Sequence, residues 1–520
     1  MEIFWSMLLR TGQIAIEAST TLLVGLIVAG VMRRMLGAEG TRKLFGGKGW
    51  KGLFRAWGVG MLLPVCSLGV IPIAREMRRA GVPSGTILAF VLAAPHINPL
   101  SLLYGLTLSE PVVIVCFAAG SLFIALAAGA VWERFFANAA DDVRPVDEPM
   151  PAPGQKRLAA VVVTAARESV NPTMGYILLG WAVTGVVTGL LPHGCLGTSM
   201  RHDDLASPAL MTAIALPLYS GPLQGMMRLG LMFEHGNSVG AAFALFELGI
   251  GINLGLIVWL AVLFGWRRVT FWFALVALVT MGVGYLVERP LYFANEEASH
   301  THAFDEWTSP FAGGSGANGD IVRGKLLQKV EVLEPIALSG MALLVLLGMA
   351  LAKIDRVGRV EAWLTMAPPI SETPCSVWKR DLPGSLLGLF ALLGLVVFSM
   401  VALYIYYPAP KEAFTEIVQV RTEAIIAVRT GHKEEAIRQI QHWDLLTRKL
   451  QVGVFIRTGK LDAETGKATE ELRERLEDLR DAILANEFDH AKELLPPVEE
   501  AYRKCRDRYQ PLEDAPLKSR

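Results

Sequence analysis

Apolar runs of the roughly 20 residues needed to cross a hydrocarbon core recur along the chain at 13–32, 86–106, 111–132, 172–191, 240–264, 269–287, 335–352 and 384–407. Two more, 53–74 and 209–227, are apolar but interrupted: LLPVCSLGVIP carries Pro64, Gly69 and Pro72, and LPLYSGPLQG carries Pro217, Gly221 and Pro222. Proline removes a backbone donor and glycine disfavours helix, so each of these runs predicts two half-helices joined by a turn. After residue 410 the pattern changes. In ELRERLEDLRDAIL, Leu472, Leu476, Leu479 and Ile483 alternate at four and three residues, the one-sided stripe of a soluble helix. Gly431, the TGKLD turn at 458–462 and Asn486 divide this tail into an antiparallel helical bundle.

Basic residues stay on the cytoplasmic side of a membrane, so their placement sets the topology. Arg33, Arg34, Arg42, Lys43, Lys48 and Lys51 precede the first broken run, and Arg75, Arg78 and Arg79 follow it. One crossing would leave one cluster outside; a re-entrant hairpin keeps both inside. Backbone without helical hydrogen bonds is tolerated at that depth only where protein or a water-filled cavity satisfies it. Counting onward puts 133–171 inside, 192–239 outside, Arg267 and Arg268 inside, 288–334 outside, Lys353 to Arg380 inside and the C-terminal bundle extracytoplasmic, provided the second broken run is also a hairpin.

The two runs align as a repeat. LPVCSLGVIP from Leu63 lies on LPLYSGPLQG from Leu216, matching Pro64 with Pro217 and Ser67 with Ser220. GVPSGTILAFVLAAPHINP from Gly81 then lies on GNSVGAAFALFELGIGINL from Gly236, matching Gly85 with Gly240 and Asn98 with Asn253. Three spans and one hairpin cross an odd number of times, so the second half must be inverted, a design recurrent among secondary transporters. The fold class predicted is thus an all-α polytopic membrane protein of two inverted repeats with re-entrant or broken helices, plus a C-terminal soluble helical bundle. The expected divisions are a first repeat at 1–135, a polar inter-repeat linker at 136–170, a second repeat at 171–287, an extracytoplasmic loop at 288–334, additional spans at 335–407 and the bundle at 408–520.

LPVCSLGVIP, AGVPSGTILAF and AAPHINP resemble the duplicated motif of the predicted permease family that includes the organoarsenical exporter ArsP and the YraQ proteins. The resemblance implies a polytopic inner-membrane permease, with efflux of a toxic metalloid or metal as the best-known activity. Family members often carry Cys-Ser-Cys at the first hairpin. Here Cys66 and Ser67 match, Leu68 replaces the second cysteine, and the second repeat offers Tyr219 and Ser220. A two-thiolate soft-metal site is therefore not available at that motif.

Substrate-binding candidates follow from the breaks: Cys66, Ser67, Tyr219, Ser220 and Gln224 at the hairpin turns, Asn98 and Asn253 at the matched span breaks. Hydroxyls and amides there can replace part of a solute's hydration shell. Each has a structural alternative, the cysteine as a small buried hydrophobe and the amides as caps on broken helices. Ionisable groups within membrane segments point to function. Glu17 in the first span, Glu247 in FALFELGIG and His96 in AAPHINP are the proton-coupling candidates. In SHTHAFDEW, His300 and His302, with Asp305 and Glu306, offer a weak divalent-metal signal, since alternate residues share a face only in extended chain. His432 and His490 fall at matched turns of the bundle, where solvent exposure is the plainer account.

Composition narrows the class further. The chain has 520 residues, 52% hydrophobic and 19% charged, against about 25% charged in soluble domains. Its 49 basic and 49 acidic residues give no net field toward nucleic acid. Five scattered cysteines lack CxxC spacing, so no zinc ribbon, attached haem or disulfide framework is implied, and no cofactor is called for. No HExxH or paired-aspartate signature supports an enzyme, the GNSVG at 236–240 spells GxSxG only at the head of an apolar helical run rather than in a strand-to-helix turn, and no cleavable signal peptide is apparent in the first residues. The expected partners are the lipid bilayer, a small solute or ion, and, through 411–508, a second copy or an envelope protein. The expected place is a bacterial inner membrane. A membrane-embedded sensor or assembly factor with the bundle as output is the alternative from another class.

Overall fold

The computed structural model describes residues 2–96, 101, 111–136, 146, 148–151, 155–192, 195–196, 200–202, 204–234, 236–291, 304, 307–311, 318–327, 330, 333–366 and 384–513. It divides into two compact units, one over Met1–Gly105 and Pro111–Val397, the other holding Phe398–Arg520.

In the first unit, α1 (Glu2–Val31) runs through a π turn (Met32–Leu36) into α2 (Gly37–Phe45). The arms of the first broken run are α3 (Trp50–Leu62) and α4 (Val70–Arg79), followed by α5 (Ser84–Ala93) and α6 (Pro111–Phe135). Next, α7 (Gln155–Ser169) meets α8 (Met174–Leu190) at a 53° bend. The second broken run gives α9 (Ser207–Ile214) and α10 (Pro222–Glu234). Then α11 (Val239–Ala244) widens into a π turn (Leu245–Ile250), bends by 58° into α12 (Leu254–Phe264), and α13 (Trp266–Glu288) follows. After these come α14 (Gly319–Leu327), α15 (Leu333–Ile354), α16 (Arg359–Thr365) and α17 (Gly384–Tyr406). Among the described residues, four helical stretches are long and apolar enough to cross a membrane, and the two bent pairs raise the number to six. The chain is an all-α multi-pass membrane protein.

Both broken runs return to the level at which they start. At the first, the Arg42 guanidinium before the hairpin donates to the Ala80 carbonyl after it, at 3.1 Å. Its tip packs where Gly25 of α1 meets the Gly69 backbone. At about 1.5 Å per residue, that level lies some 12 Å from Arg33 and 22 Å from Arg10. At the second, Arg201 and Asn237 form an antiparallel bridge, and Ser238 N donates to Met200 O at 2.9 Å.

The helices after each hairpin repeat one packing scheme. α3, α5 and α6 pack on one another, as do α9, α11 and α13. The closest approaches fall at matching glycines. A Cβ on Gly85 would stand 2.6 Å from Gly129 O, and one on Gly240 would stand 2.5 Å from Gly284 O. Four residues on from each partner glycine an acid closes the pair: Glu133 accepts from Gly49 N at 2.9 Å, and Glu288 from Gly240 N at 2.5 Å and Ser238 Oγ at 2.7 Å.

Two departures from the hydropathy reading matter for the site. The first helix begins at Glu2 rather than residue 13, which brings Arg10 into it. Residues 155–169, read as linker, are helical: AAVVVTAA supplies an apolar face that packs on α1 and α15, and polar residues occupy the other.

In the second unit, α18 (Pro410–Thr430), α19 (Lys433–Thr458), α20 (Ala463–Leu484) and α21 (Phe488–Glu513) form a four-helix bundle in which each helix packs on its chain neighbours and α18 closes on α21. Leu472, Leu476, Leu479 and Ile483 are buried against Trp443, Tyr502 and Tyr509. Cys505 is buried among them, and burial pushes its thiol up to about 12. His432 and His490 are exposed.

Candidate functional site

Pro64 forces Leu63 into extended backbone (φ −92°, ψ 125°) and ends α3. The turn is satisfied locally: Cys66 O accepts from Val70 N at 3.0 Å, and the Cys66 thiol accepts from Gly69 N at 3.3 Å. Ser67 faces the other half of the chain. Asn253 Nδ2 donates to Ser67 Oγ at 2.9 Å, while Asn253 Oδ1 accepts from Leu256 N at 2.9 Å and caps α12. One amide thus holds its own helix break and the tip of the opposite hairpin. The Tyr219 hydroxyl, at the repeat position of Cys66, lies beside the Cys66 thiol.

A small polar cavity of about 20 Å³ adjoins this meeting point, room for a water molecule. α1 contributes Arg10, Gln13 and Glu17, α8 contributes Thr184 and Thr188, and the second hairpin contributes Tyr219 and Ser220. Trp307 closes it. Arg10 is buried in α1, donating Nη1 to Gln13 Oε1 at 2.9 Å and Nε and Nη2 to Thr308 O at 3.0 and 2.6 Å. Thr184 and Thr188 spend their hydroxyl protons on carbonyls one turn back, at 2.9 and 2.7 Å, which leaves oxygen lone pairs for the cavity.

A second cluster lies deeper in the protein. Glu247 and His96 are fully buried, with Nε2 3.4 Å from Oε2 of Glu247 and 3.2 Å from its backbone oxygen. The π turn frees that carbonyl, because Gly251 N reaches back to Phe246 O. A carbonyl only accepts, so Nε2 carries the proton and Nδ1 accepts from Ser121 Oγ at 3.2 Å. Gly251 is required here: a Cβ would stand 1.9 Å from Nε2.

At the C-terminal end of α1, the linker residue Glu148 is gripped by three arginines. It accepts from Arg33 Nε and Nη2 at 2.9 and 2.7 Å, bonds Arg79, and lies 3.3 Å from Arg34 Nη1. Burial raises the Glu148 carboxyl, but the Arg33 hydrogen bond and the charges of Arg33, Arg79 and Arg34 prevail and hold it at about 2. Glu168 of α7 pairs in turn with Arg33 and Arg75.

Of the residues singled out from sequence, Ser67 and Asn253 are bonded, Tyr219 lies beside Cys66, and Tyr219, Ser220 and Glu17 line the cavity, which Cys66, Ser67 and Asn253 do not. Gln224 sits against Gly221 just beyond the second turn. His96 and Glu247 form their own pair. Asn98, His300 and His302, with Asp305 and Glu306, lie outside the described residues. Among those that are described, no group of three or more His, Cys, Asp or Glu could hold a metal ion, and the four cysteines are free. Sequence reading missed Arg10, Gln13, Thr184, Thr188 and Ser121. Arg10, Gln13 and Glu17 follow helical three and four spacing, as do Thr184 and Thr188, so a polar stripe within apolar helices was the available signal.

Buried polar groups gathered at helix breaks inside a helical apolar unit are the arrangement from which multi-pass membrane permeases build their sites. The chain belongs to the family described as predicted permease (ArsP_1), which matches residues 4–289, more than half of its length. Over 89 residues it is 34% identical to the UPF0718 protein YcgR of Bacillus subtilis (strain 168), a match covering 17% of this chain and 30% of that protein. No solved structure matches.

Proposed function

We propose that this permease works in a bacterial inner membrane as two inverted halves that expel a small toxic solute, a metalloid, metal or organoarsenical, by alternating access. The observation that carries the reading is the Asn253 amide bonded to Ser67, a joint between halves at the depth where both backbones break. Inversion is supported by the hairpin bases. Arg78, beside the first base, donates to Leu263 O at 3.1 Å next to the start of α13, whereas Ser238, at the second base, bonds Glu288 at its far end. The 23 residues of α13 separate those bases by about 34 Å.

As it stands the cavity beside Tyr219 and Ser220 has room for a water only; the solute occupies it once the halves part, met by hydroxyl, amide and carboxylate groups. Rocking one half against the other breaks the Asn253–Ser67 joint and opens the opposite face. Cys66 supplies one soft ligand, so a solute that needs two thiolates is disfavoured. Glu17 and the His96–Glu247 pair are the groups that exchange protons with the cycle, because a carboxyl and an imidazole facing each other in a dry interior can hold one proton between them. The bundle lies outside the cytoplasm and offers a surface to a second copy or an envelope partner. Its compactness as a separate unit favours a second reading, a membrane sensor with the bundle as output.

The test is cellular accumulation of arsenite, antimonite, Cd²⁺, Cu²⁺ and phenylarsonate with and without the protein, repeated after collapsing the proton gradient. Transport predicts lower accumulation of at least one probe, abolished by the uncoupler and retained when 411–520 is deleted. No difference for any probe, or loss only on deleting the bundle, favours the sensor.

A further inference from the structure

Residues 307–311 lie beyond the stretch 4–289 that matches the permease family, yet they are buried in the permease unit: Trp307 is 3% exposed, Thr308 0% and Phe311 5%. The N-terminal end of α1, the C-terminal end of α8 and the second hairpin all hold them. Arg10 clamps the Thr308 carbonyl with two donors. Ser309 N donates to Leu191 O at 2.7 Å, and Ser309 Oγ is 3.0 Å from Ser6 Oγ. The Trp307 indole donates to Tyr219 O at 3.3 Å, and Lys325 Nζ fastens Pro310 O at 3.0 Å. Two of these partners, Arg10 and Tyr219, also line the cavity, and so does Trp307.

We infer that 307–311 is a plug that this chain adds to the permease core, walling the solute cavity at the α8 C-terminal end, with Trp307 as the residue that sets which solutes fit. Most of the bonds that seat it use main-chain groups of the plug. Its docking therefore depends on the shape of the segment, and release requires the Arg10 clamp and the indole bond to break together. A buried arginine is costly without acceptors, so Arg10 holds the plug down and is itself stabilised by it. Removal of the indole opens the cavity wall to water. This inference rests on the transport reading of the cavity, and its test is read without solute flux.

The probe is a membrane-impermeant maleimide applied to opened membranes, so that both faces are reached, with labelling of a Thr188→Cys variant measured by peptide mass spectrometry. Thr188 lines the cavity and is 1% exposed. Labelling should be slow with the plug intact and at least about tenfold faster when Trp307→Ala is added, the effect of losing a local closure. Fast labelling with Trp307 present, or an unchanged rate without it, overturns the plug. Should Trp307→Ala fail to give monodisperse protein, a Ser6→Cys/Ser309→Cys pair decides: oxidising it should slow labelling at position 188 by about tenfold relative to the reduced form, and equal rates overturn the inference. Failure of the transport reading would appear separately, as unchanged solute accumulation, and leave these rates as they are.

Discussion

The two halves of the permease unit share their scaffold and differ in what they present at the breaks. Gly85, Gly129 and Glu133 in the first half do what Gly240, Gly284 and Glu288 do in the second, letting two helices touch backbone to backbone and tying the contact with a carboxylate. At the hairpin tips the matched positions carry different chemistry, Cys66 against Tyr219, and the paired serine hydroxyls have different partners: Ser67 Oγ takes the Asn253 amide, whereas Ser220 Oγ donates to the adjacent Gly221 O at 3.4 Å. Backbone contact tolerates no side chain, so repetition persists where packing is tight. Side chains at the tips are free of that constraint, and the resulting junction is one-sided, with a thiol and a serine from one half and a phenol and amide from the other, of which the phenol also lines the cavity.

The equivalence breaks most visibly at the glycines. Gly85→Val and Gly240→Val should each cost more than the roughly 1–3 kcal/mol of ordinary overpacking, because the obstacle is a carbonyl rather than a side chain. The expected outcome for both is loss of monodisperse protein on extraction; survival of one alone would show that the two contacts are not equivalent. Asn253→Leu is next: the lost cap costs about 1 kcal/mol, so the protein should remain in the membrane while efflux of the responsive probe disappears. A smaller contrast separates the serines. Ser67→Ala leaves the Asn253 amide without its acceptor and should destabilise by roughly 1–2 kcal/mol, whereas Ser220→Ala should cost less than half of that, as read from thermal unfolding in detergent.

The smallest effect concerns the linker that joins the halves. With the Glu148 carboxyl held at about 2 against an ordinary 4.5, its contribution to stability is fully present above pH 4.5 and is lost as pH falls from there toward 2. Parent protein should therefore lose stability over that window relative to Glu148→Gln, and the two should show parallel behaviour from pH 5 to 7.

Much of this was legible from sequence because its signals are local. Prolines and glycines marked both breaks, Asn253 stood out as an amide inside an apolar run, and the Leu472 to Ile483 stripe announced the bundle core. What escaped depends on distant pairing. Arg10 meets Thr308 across 298 positions and Trp307 meets Tyr219 across 88, and no periodicity in either segment specifies the other. Arg10 was also hidden by the hydropathy criterion itself, which starts a span at the first unbroken apolar run and discards a charged residue one turn earlier. The helix at 155–169 was missed for a related reason: half of its face is polar, and proximity to a proline-rich stretch made it read as linker.

If the two breaks meet in one polar site through which solute passes, locking Ser67 to Asn253 must stop transport. A Ser67→Cys/Asn253→Cys pair tests it most directly, by mild oxidation of native membranes followed by efflux of whichever probe the panel identifies. The thiols should join, efflux should stop, and a reductant should restore it. Thiols that react singly but never join, or efflux that continues through the joined protein, would contradict a shared site.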